Sequence, residues 1–224
     1  RVAVAVAAVA SFLAPFSGSA TNVALPSIAR DFALDAVALS WVGMAYLLAA
    51  AVALVPLGRL ADIHGRKLVF TSGVLVYAAA SLACALAPSP FVLLAARALQ
   101  GLGGAAIFGT NVAILTSVLP PGRRGAALGF NVAAVYLGLS LGPFLGGLLT
   151  EQAGWRSLFH LSAALGVVLA VVVRRGLAGE WRESRGEPFD AAGAWLYASG
   201  LLALMYGFSR LPSGAGSGLA AAAG

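Results

Sequence analysis

The sequence predicts an all-α polytopic membrane protein, and three observations carry that expectation. Of its 224 residues 60% are hydrophobic and 10% charged, against roughly 25% charged in a soluble domain. Apolar runs of bilayer-spanning length recur between short charged or Pro/Gly-rich breaks. The 28 glycines and ten prolines are spread through these apolar stretches, a usage that membrane bundles accept because small residues let helix backbones approach. Short alternating strands, which a β-barrel would need, are absent from the pattern.

Each span is bounded by its own breaks. The first, 2–24, ends before Pro26 and Arg30, and the second, 38–57, follows Asp35 and stops at the charged segment Gly58–Lys67. The third, 68–87, runs from that segment to Pro88, and the fourth, 91–118, lies between Pro90 and the Pro120–Pro121 pair. The fifth, 124–149, begins at Arg124 and ends before Glu151. The sixth, 155–173, ends at Arg174 and Arg175. A seventh, 191–209, lies between Asp190 and Arg210, with room for the start of an eighth near Leu219. Because the chain opens at Arg1 and ends inside an apolar run, it reads as part of a longer protein.

Basic residues set the expected orientation. The loops after spans 2, 4 and 6 hold nine, namely Arg59, Arg66, Lys67, Arg123, Arg124, Arg174, Arg175, Arg182 and Arg185, whereas those after spans 1, 3, 5 and 7 hold three, Arg30, Arg156 and Arg210. By the positive-inside rule the N-terminus and the even loops face the cytoplasm. Trp41, Trp155, Trp181 and Trp195 fall near span ends, as interfacial anchors do. Segment 174–190 carries four arginines and four acids. It reads as a cytoplasmic connector that balances its own charge, with an amphipathic surface helix as one form of it.

An internal repeat appears at an offset of 89 residues: GRLADIHGRKLVF at 58–70 aligns without gaps with GLLTEQAGWRSLF at 147–159. Gly58 meets Gly147, Asp62 meets Glu151, Gly65 meets Gly154 and Lys67 meets Arg156. Three spans separate the copies, so they lie on opposite membrane faces, and spans 1–3 and 4–6 form an inverted pair of the kind many secondary transporters share.

Three motifs stand out. Gly58-Arg59-Leu60-Ala61-Asp62-Ile63-His64-Gly65-Arg66-Lys67 places glycines where a tight loop turns or packs, an acid near the start of the next helix, and a basic pair that fixes orientation. A loop that only sets topology explains Arg66 and Lys67 but neither the acid nor the glycines. Span 4 carries Leu93, Arg97, Gln100, Gly101, Gly103 and Ala105, and Arg97 alone among the charged residues lies well inside a span. A charge there costs about 2.5–3.5 kcal/mol even on lenient scales, so it is functional by default, with snorkelling to the interface as its rival. Span 5 carries Gly138, Gly142, Pro143, Gly146 and Gly147; spacing of four puts Gly138, Gly142 and Gly146 on one face, and Pro143 bends the helix.

These three motifs resemble, in order, the Gly-x-Leu-Ala-Asp-Arg-x-Gly-Arg-Lys, Leu-x-x-x-Arg-x-x-Gln-Gly-x-Gly-x-Ala and Gly-x-x-x-Gly-Pro-x-x-Gly-Gly signatures of the major facilitator superfamily, the last being that of its exporters. Asn22-Val23-Ala24-Leu25-Pro26-Ser27-Ile28-Ala29 resembles its fourteen-helix drug:proton antiporter branch, and 189–210 looks like the first of that branch's two extra helices. The resemblance implies an N-terminal six-helix domain over 1–173 built as a 3+3 inverted repeat, a connector over 174–190, and an additional helix with the start of the next over 191–224. It implies an exporter of small amphipathic molecules by alternating access, with the proton as coupling ion and a second half of the same chain closing the site. Gly58, Asp62, Gly65, Arg66 and Lys67 would form the gate, Asp62 pairing with Arg66, and Arg97, Gln100 and Gly101 the intramembrane charge site. Ser17, Ser19, Asn22 and Asn111 are candidate pocket residues. The sequence departs from the pattern at Ile63, where the family has a basic residue, and at Ser17, where the branch places a membrane-embedded Asp.

Other functions find less support. An uptake permease or uniporter of the same fold would lack the Gly-Pro motif of span 5. A membrane enzyme would need an intramembrane acid/base or metal-ligand cluster, and no catalytic residue, metal or cofactor is expected. His64 and His160 have no acid nearby to orient them. Gly101–Ala106 fits a loose dinucleotide fingerprint, but no strand precedes it. Lone Cys84 reads as packing filler. The net charge of +6 is explained by topology, with the lipid bilayer and a small-molecule substrate as partners and no nucleic acid. The expected location is a bacterial or archaeal cytoplasmic membrane.

Overall fold

The computed structural model describes residues 2–177, 179–184 and 186–209. It contains seven helices, α1 (Val2–Phe32), α2 (Ala36–His64), α3 (Arg66–Ala85), α4 (Pro90–Val118), α5 (Pro121–Ala153), α6 (Arg156–Gly176) and α7 (Ala191–Ser209), with no strand among the described residues. The first six are long and apolar enough to cross a membrane. Residues 1–189 form one compact unit, and α7 belongs to a second. The apolar part of α7 is shorter, Ala191–Met205. The expected eighth span near Leu219 lies outside the described residues.

Several helices outrun the boundaries read from sequence. Both α1 and α2 continue through Pro26 and Pro56, since neighbouring helices can satisfy the carbonyls that a proline orphans. Asp35 caps α2, its carboxylate accepting from the Ala38 N–H at 2.7 Å. The Gly58–His64 stretch is therefore helical, and Gly65 alone separates α2 from α3. Asp62 thus sits in the last turn of α2, at the unfavourable end of that helix dipole, which corrects its expected place near the start of α3. Arg66 compensates from four residues on, at 2.9 Å.

The helices pack as the inverted repeat requires. Helix α2 lies on α4 as α5 lies on α1, α3 packs on α4 as α6 packs on α1, and α3 and α6 meet each other. The two aligned glycines do the same job at opposite ends: Gly65 has φ +130° before α3 and Gly154 φ +78° before α6, conformations that side chains other than glycine rarely adopt. At the Gly154 end, Arg156 pairs with Asp31 at 2.6 Å, and Trp155 donates to the same carboxylate at 3.1 Å. Trp155 is buried against Phe32 and Phe159, so it packs the bundle rather than anchoring it at an interface.

Small residues set the closest approaches. A Cβ on Gly138 would lie 2.6 Å from the Phe12 carbonyl, on Gly142 2.6 Å from Ser19 Cβ, and on Gly146 2.8 Å from Ala20 Cα. Gly147 meets nothing nearer than 3.8 Å, and Gly58 nothing within 4 Å, so neither is needed for packing within the described structure. Cys84 is buried in the core beside Leu93 and Phe159, as filler should be.

Candidate functional site

Four helices, α1, α2, α4 and α5, wall a cavity of about 370 Å³. Its lining is mostly apolar and includes Gly18, Ser19, Asn22, Gly43, Tyr46, Phe108 and Leu139, with Arg97 as its charged member. Arg97 does not snorkel. It is 2% exposed; its Nε donates to the Val42 carbonyl at 2.9 Å and its Nη1 to Gln100 Oε1. Gln100 in turn donates to Ser81 at 2.8 Å, and Ser81 to the Tyr77 carbonyl at 2.7 Å. The guanidinium lies 4.7 Å from the Tyr46 ring centroid and 5.8 Å from that of Phe159, close enough for cation–π attraction. No ion pair among the described residues includes it. A cation is thus held in an apolar wall by carbonyls and aromatic faces alone.

Gly101 and Gly104 make this possible by bringing α4 against α2: a Cβ on Gly101 would collide with the Tyr46 carbonyl, and one on Gly104 would lie 2.7 Å from the Tyr46 hydroxyl. Tyr46 carried no motif, and the signal for it was only its place two turns into span 2.

Of the four candidate pocket residues, Ser19 and Asn22 line the cavity; Ser17 and Asn111 do not. Ser17 is turned into the bundle at 5% exposure. Asn111 is committed to packing: its amide donates to Ser11 at 2.8 Å, to Asn131 Oδ1 at 3.2 Å and to the Ala7 carbonyl at 3.1 Å. Ser11 also donates to Asn131 at 2.7 Å, so three helices are tied at one point. Asn131 belongs to none of the three motifs, although a polar residue inside an apolar span is itself the signal. Ser19 has a further role. Because Pro143 has no N–H, it leaves the carbonyl of Leu139 without its helical partner, and Ser19 donates to that oxygen at 3.0 Å.

The Gly58–Lys67 motif gathers at the Gly65 end, and the segment after α6 clasps it. Arg66 is 7% exposed; it binds Asp62, Glu183 at 2.7 Å and Ser117 at 3.0 Å. Arg59 binds Glu187 and Ser184. Glu180 accepts from the Lys67 N–H at 2.7 Å, and Lys67 Nζ donates to the Leu177 carbonyl. Backbone bonds join Arg66 N–H to the Trp181 carbonyl at 2.9 Å and Ser184 N–H to that of Asp62 at 3.1 Å. The described residues of 177–190 contain no helix, so an amphipathic surface helix is ruled out there. Nor does the segment balance its own charge: Glu187 and Glu183 pair with Arg59 and Arg66, and Glu180 accepts from the backbone of Lys67. Where Ile63 leaves the motif without a charged arm, the connector supplies partners. His64 and His160 each turn Nδ1 to a carbonyl one turn back in their own helices.

Two inverted helix triplets around an apolar, guanidinium-bearing cavity define a polytopic membrane domain with secondary-transporter architecture. The chain belongs to the Major Facilitator Superfamily, whose sequence profile matches residues 7–192. It is 39% identical over 186 residues to the multidrug resistance protein Stp of Mycobacterium tuberculosis, covering 83% of this chain and 34% of that protein. It is 37% identical to the puromycin resistance protein pur8 of Streptomyces alboniger (94% and 42% covered) and 39% identical to the cephamycin export protein CmcT of Amycolatopsis lactamdurans (93% and 43%). The chain therefore spans less than half the length of these curated relatives. Its fold matches the crystal structure of the peptide transporter POT in complex with sulfate, with a TM-score of 0.74 at 21% identity over 95% of this chain and 47% of that one. It also matches an inward-facing bacterial homolog of the human lysosomal transporter Spinster, with a TM-score of 0.71 at 20% identity over 84% and 45%.

Proposed function

We propose that residues 1–173 are the N-terminal domain of a secondary exporter of small amphipathic molecules in a bacterial cytoplasmic membrane, acting by alternating access with proton antiport rather than by catalysis. Residues 174–190 would be its cytoplasmic connector, and 191–224 an additional membrane helix leading into the next. The cavity walled by α1, α2, α4 and α5 carries the reading, since an apolar wall with a few polar groups suits amphipathic ligands. The substrate would sit between this domain and a second one, of which the greater length of the relatives has room. The names of the relatives, two for drug resistance and one for export, support the outward direction. Gly58, Asp62, Gly65, Arg66 and Lys67 would gate the cytoplasmic side, where Asp62 and Arg66 pair. Arg97, Gln100 and Gly101 would form the intramembrane charge site, with Ser19 and Asn22 at the substrate. Gly138, Gly142, Pro143 and Gly146 would hold α5 against α1.

The orientation is testable by labelling. In intact cells an impermeant thiol reagent is expected to spare single cysteines at His64→Cys, Arg123→Cys and Arg182→Cys in a Cys84→Ser background, and to modify Ser89→Cys. Labelling of the His64→Cys variant from outside would reverse the topology.

The mode of coupling is testable in proteoliposomes containing the full-length protein, with an imposed pH gradient and a panel of amphipathic drugs. Export driven by the gradient is expected, and uptake would instead favour a permease. A proton carrier usually titrates a desolvated membrane carboxylate, and Ser17 stands where such a group would be. Neutralising Asp31, Asp35 and Glu151 in turn is therefore expected to leave coupling intact, placing the carrier in the other half. If one of these changes abolishes gradient-driven export but preserves substrate exchange, the proton travels through this half.

A further inference from the structure

A second cavity, of about 610 Å³, shares no lining residue with the first and lies between the start of α3 and the end of α6. We propose that it binds the headgroup of an anionic phospholipid, an inference that rests on the fold and not on the transport reading. Lys67 and Arg174 supply its cations, Thr71 and Ser72 its hydroxyls, and Glu180 its acid. Glu180 is already engaged by the N–H of Lys67 at 2.7 Å, so two cations and one acid leave the lining with a net single positive charge, the complement of one phosphodiester. The Arg174 side chain has no ion pair or hydrogen bond among the described residues, and the Lys67 ammonium has spent one of its three donors, on the Leu177 carbonyl. Thr71 and Ser72 donate to the carbonyls of Lys67 and Val69 at 2.7 and 3.0 Å. Their oxygens therefore face a ligand as acceptors, which suits the hydroxyls of a glycerol headgroup.

The walls show where the rest of the ligand goes. Leu68 and Leu75, 55% and 45% exposed, continue the cavity along α3, and Val168 and Val171, 59% and 43% exposed, continue the outer face of α6 away from Arg174. Cations sit at one end of an apolar helix pair that lines no part of the first cavity. A soluble phosphate would use the charged end alone, whereas a lipid uses both, and basic pockets between membrane helices are a recurrent setting for anionic headgroups.

Native mass spectrometry of the full-length protein, titrated with dioleoyl phosphatidylglycerol, dioleoyl phosphatidylcholine or inorganic phosphate, tests this. Phosphatidylglycerol is expected to bind in preference to phosphatidylcholine and to resist displacement by inorganic phosphate. Arg174→Gln is expected to weaken it about fivefold, while Arg174→Lys retains it and Arg175→Gln, a neighbouring charge outside the cavity, leaves it within about twofold. Should Arg174→Gln fail to insert, Ser72→Glu brings a like charge to the same cavity and is expected to weaken binding similarly. Equal binding of the two lipids, or equal losses in the Arg174 and Arg175 variants, overturns the site. Full displacement by inorganic phosphate makes it a free-anion site and overturns the lipid.

Discussion

Arg97→Ala is expected to reduce transport about a hundredfold while the protein still inserts and folds. The side chain makes two hydrogen bonds from a charged donor, to Val42 and Gln100, and such bonds are each worth about 1.5 kcal/mol or more. Its loss also leaves Gln100 Oε1 without its donor inside the bundle and strips the cavity of its charge. Arg97→Lys separates the two contributions. Lysine keeps the charge, but a single ammonium cannot span both acceptors in one plane or stack as broadly on Tyr46, so an intermediate loss of about tenfold is expected. Substrate-dependent flux in proteoliposomes, normalised to inserted protein, is the measurement. Full activity of Arg97→Ala would reduce the residue to a packing element.

Gly138→Ala is expected to lower the stability of the domain by about 2–3 kcal/mol, the scale of overpacking in a filled interior. The added methyl meets the backbone at the Phe12 carbonyl and the Phe16 N–H, neither of which can swing aside. Gly142→Ala presses on Ser19 and so also threatens the bond that satisfies the Leu139 carbonyl. Gly147→Ala, whose methyl would meet only the Val23 side chain at an ordinary contact distance of 3.8 Å, is expected to behave as the parent. Thermal unfolding in detergent reads the difference as a fall of about 5–10 °C for Gly138→Ala and none for Gly147→Ala. A Gly138→Ala protein as stable as the parent would mean that α1 and α5 do not meet backbone to backbone at this position.

Membrane class, the six spans of the bundle, the inverted repeat and the packing face of α5 were all legible in the sequence, because each rests on periodicity, repetition or composition. What was not legible depends on which side chains meet. The Gly58–Lys67 stretch looked like a loop since it is charged, yet Asp62 and Arg66 neutralise each other and let α2 run on to His64. Segment 174–190 looked self-balanced because its charges sum that way, but Glu180, Glu183 and Glu187 find partners more than a hundred residues earlier. Ser17 and Asn111 looked like pocket residues because a polar group in a span has few uses. The alternative, a bond between helices, leaves no trace until the partner helix is known.

Such bonds resolve an ambiguity that the glycines create. A stripe of glycines at every fourth position looks the same after sliding by one helical turn, since Gly142 then stands where Gly138 stood; close packing alone defines a groove but not a position along it. The Ser11, Asn111 and Asn131 cluster has no such translational symmetry. A slip of α5 by about 5.4 Å would keep most of the small-residue contacts and break both bonds to Asn131, from Ser11 and from Asn111, stranding that asparagine inside the bundle. The glycines therefore determine how near α5 comes to α1, and the two bonds to Asn131 determine which of several nearly equivalent alignments the chain adopts.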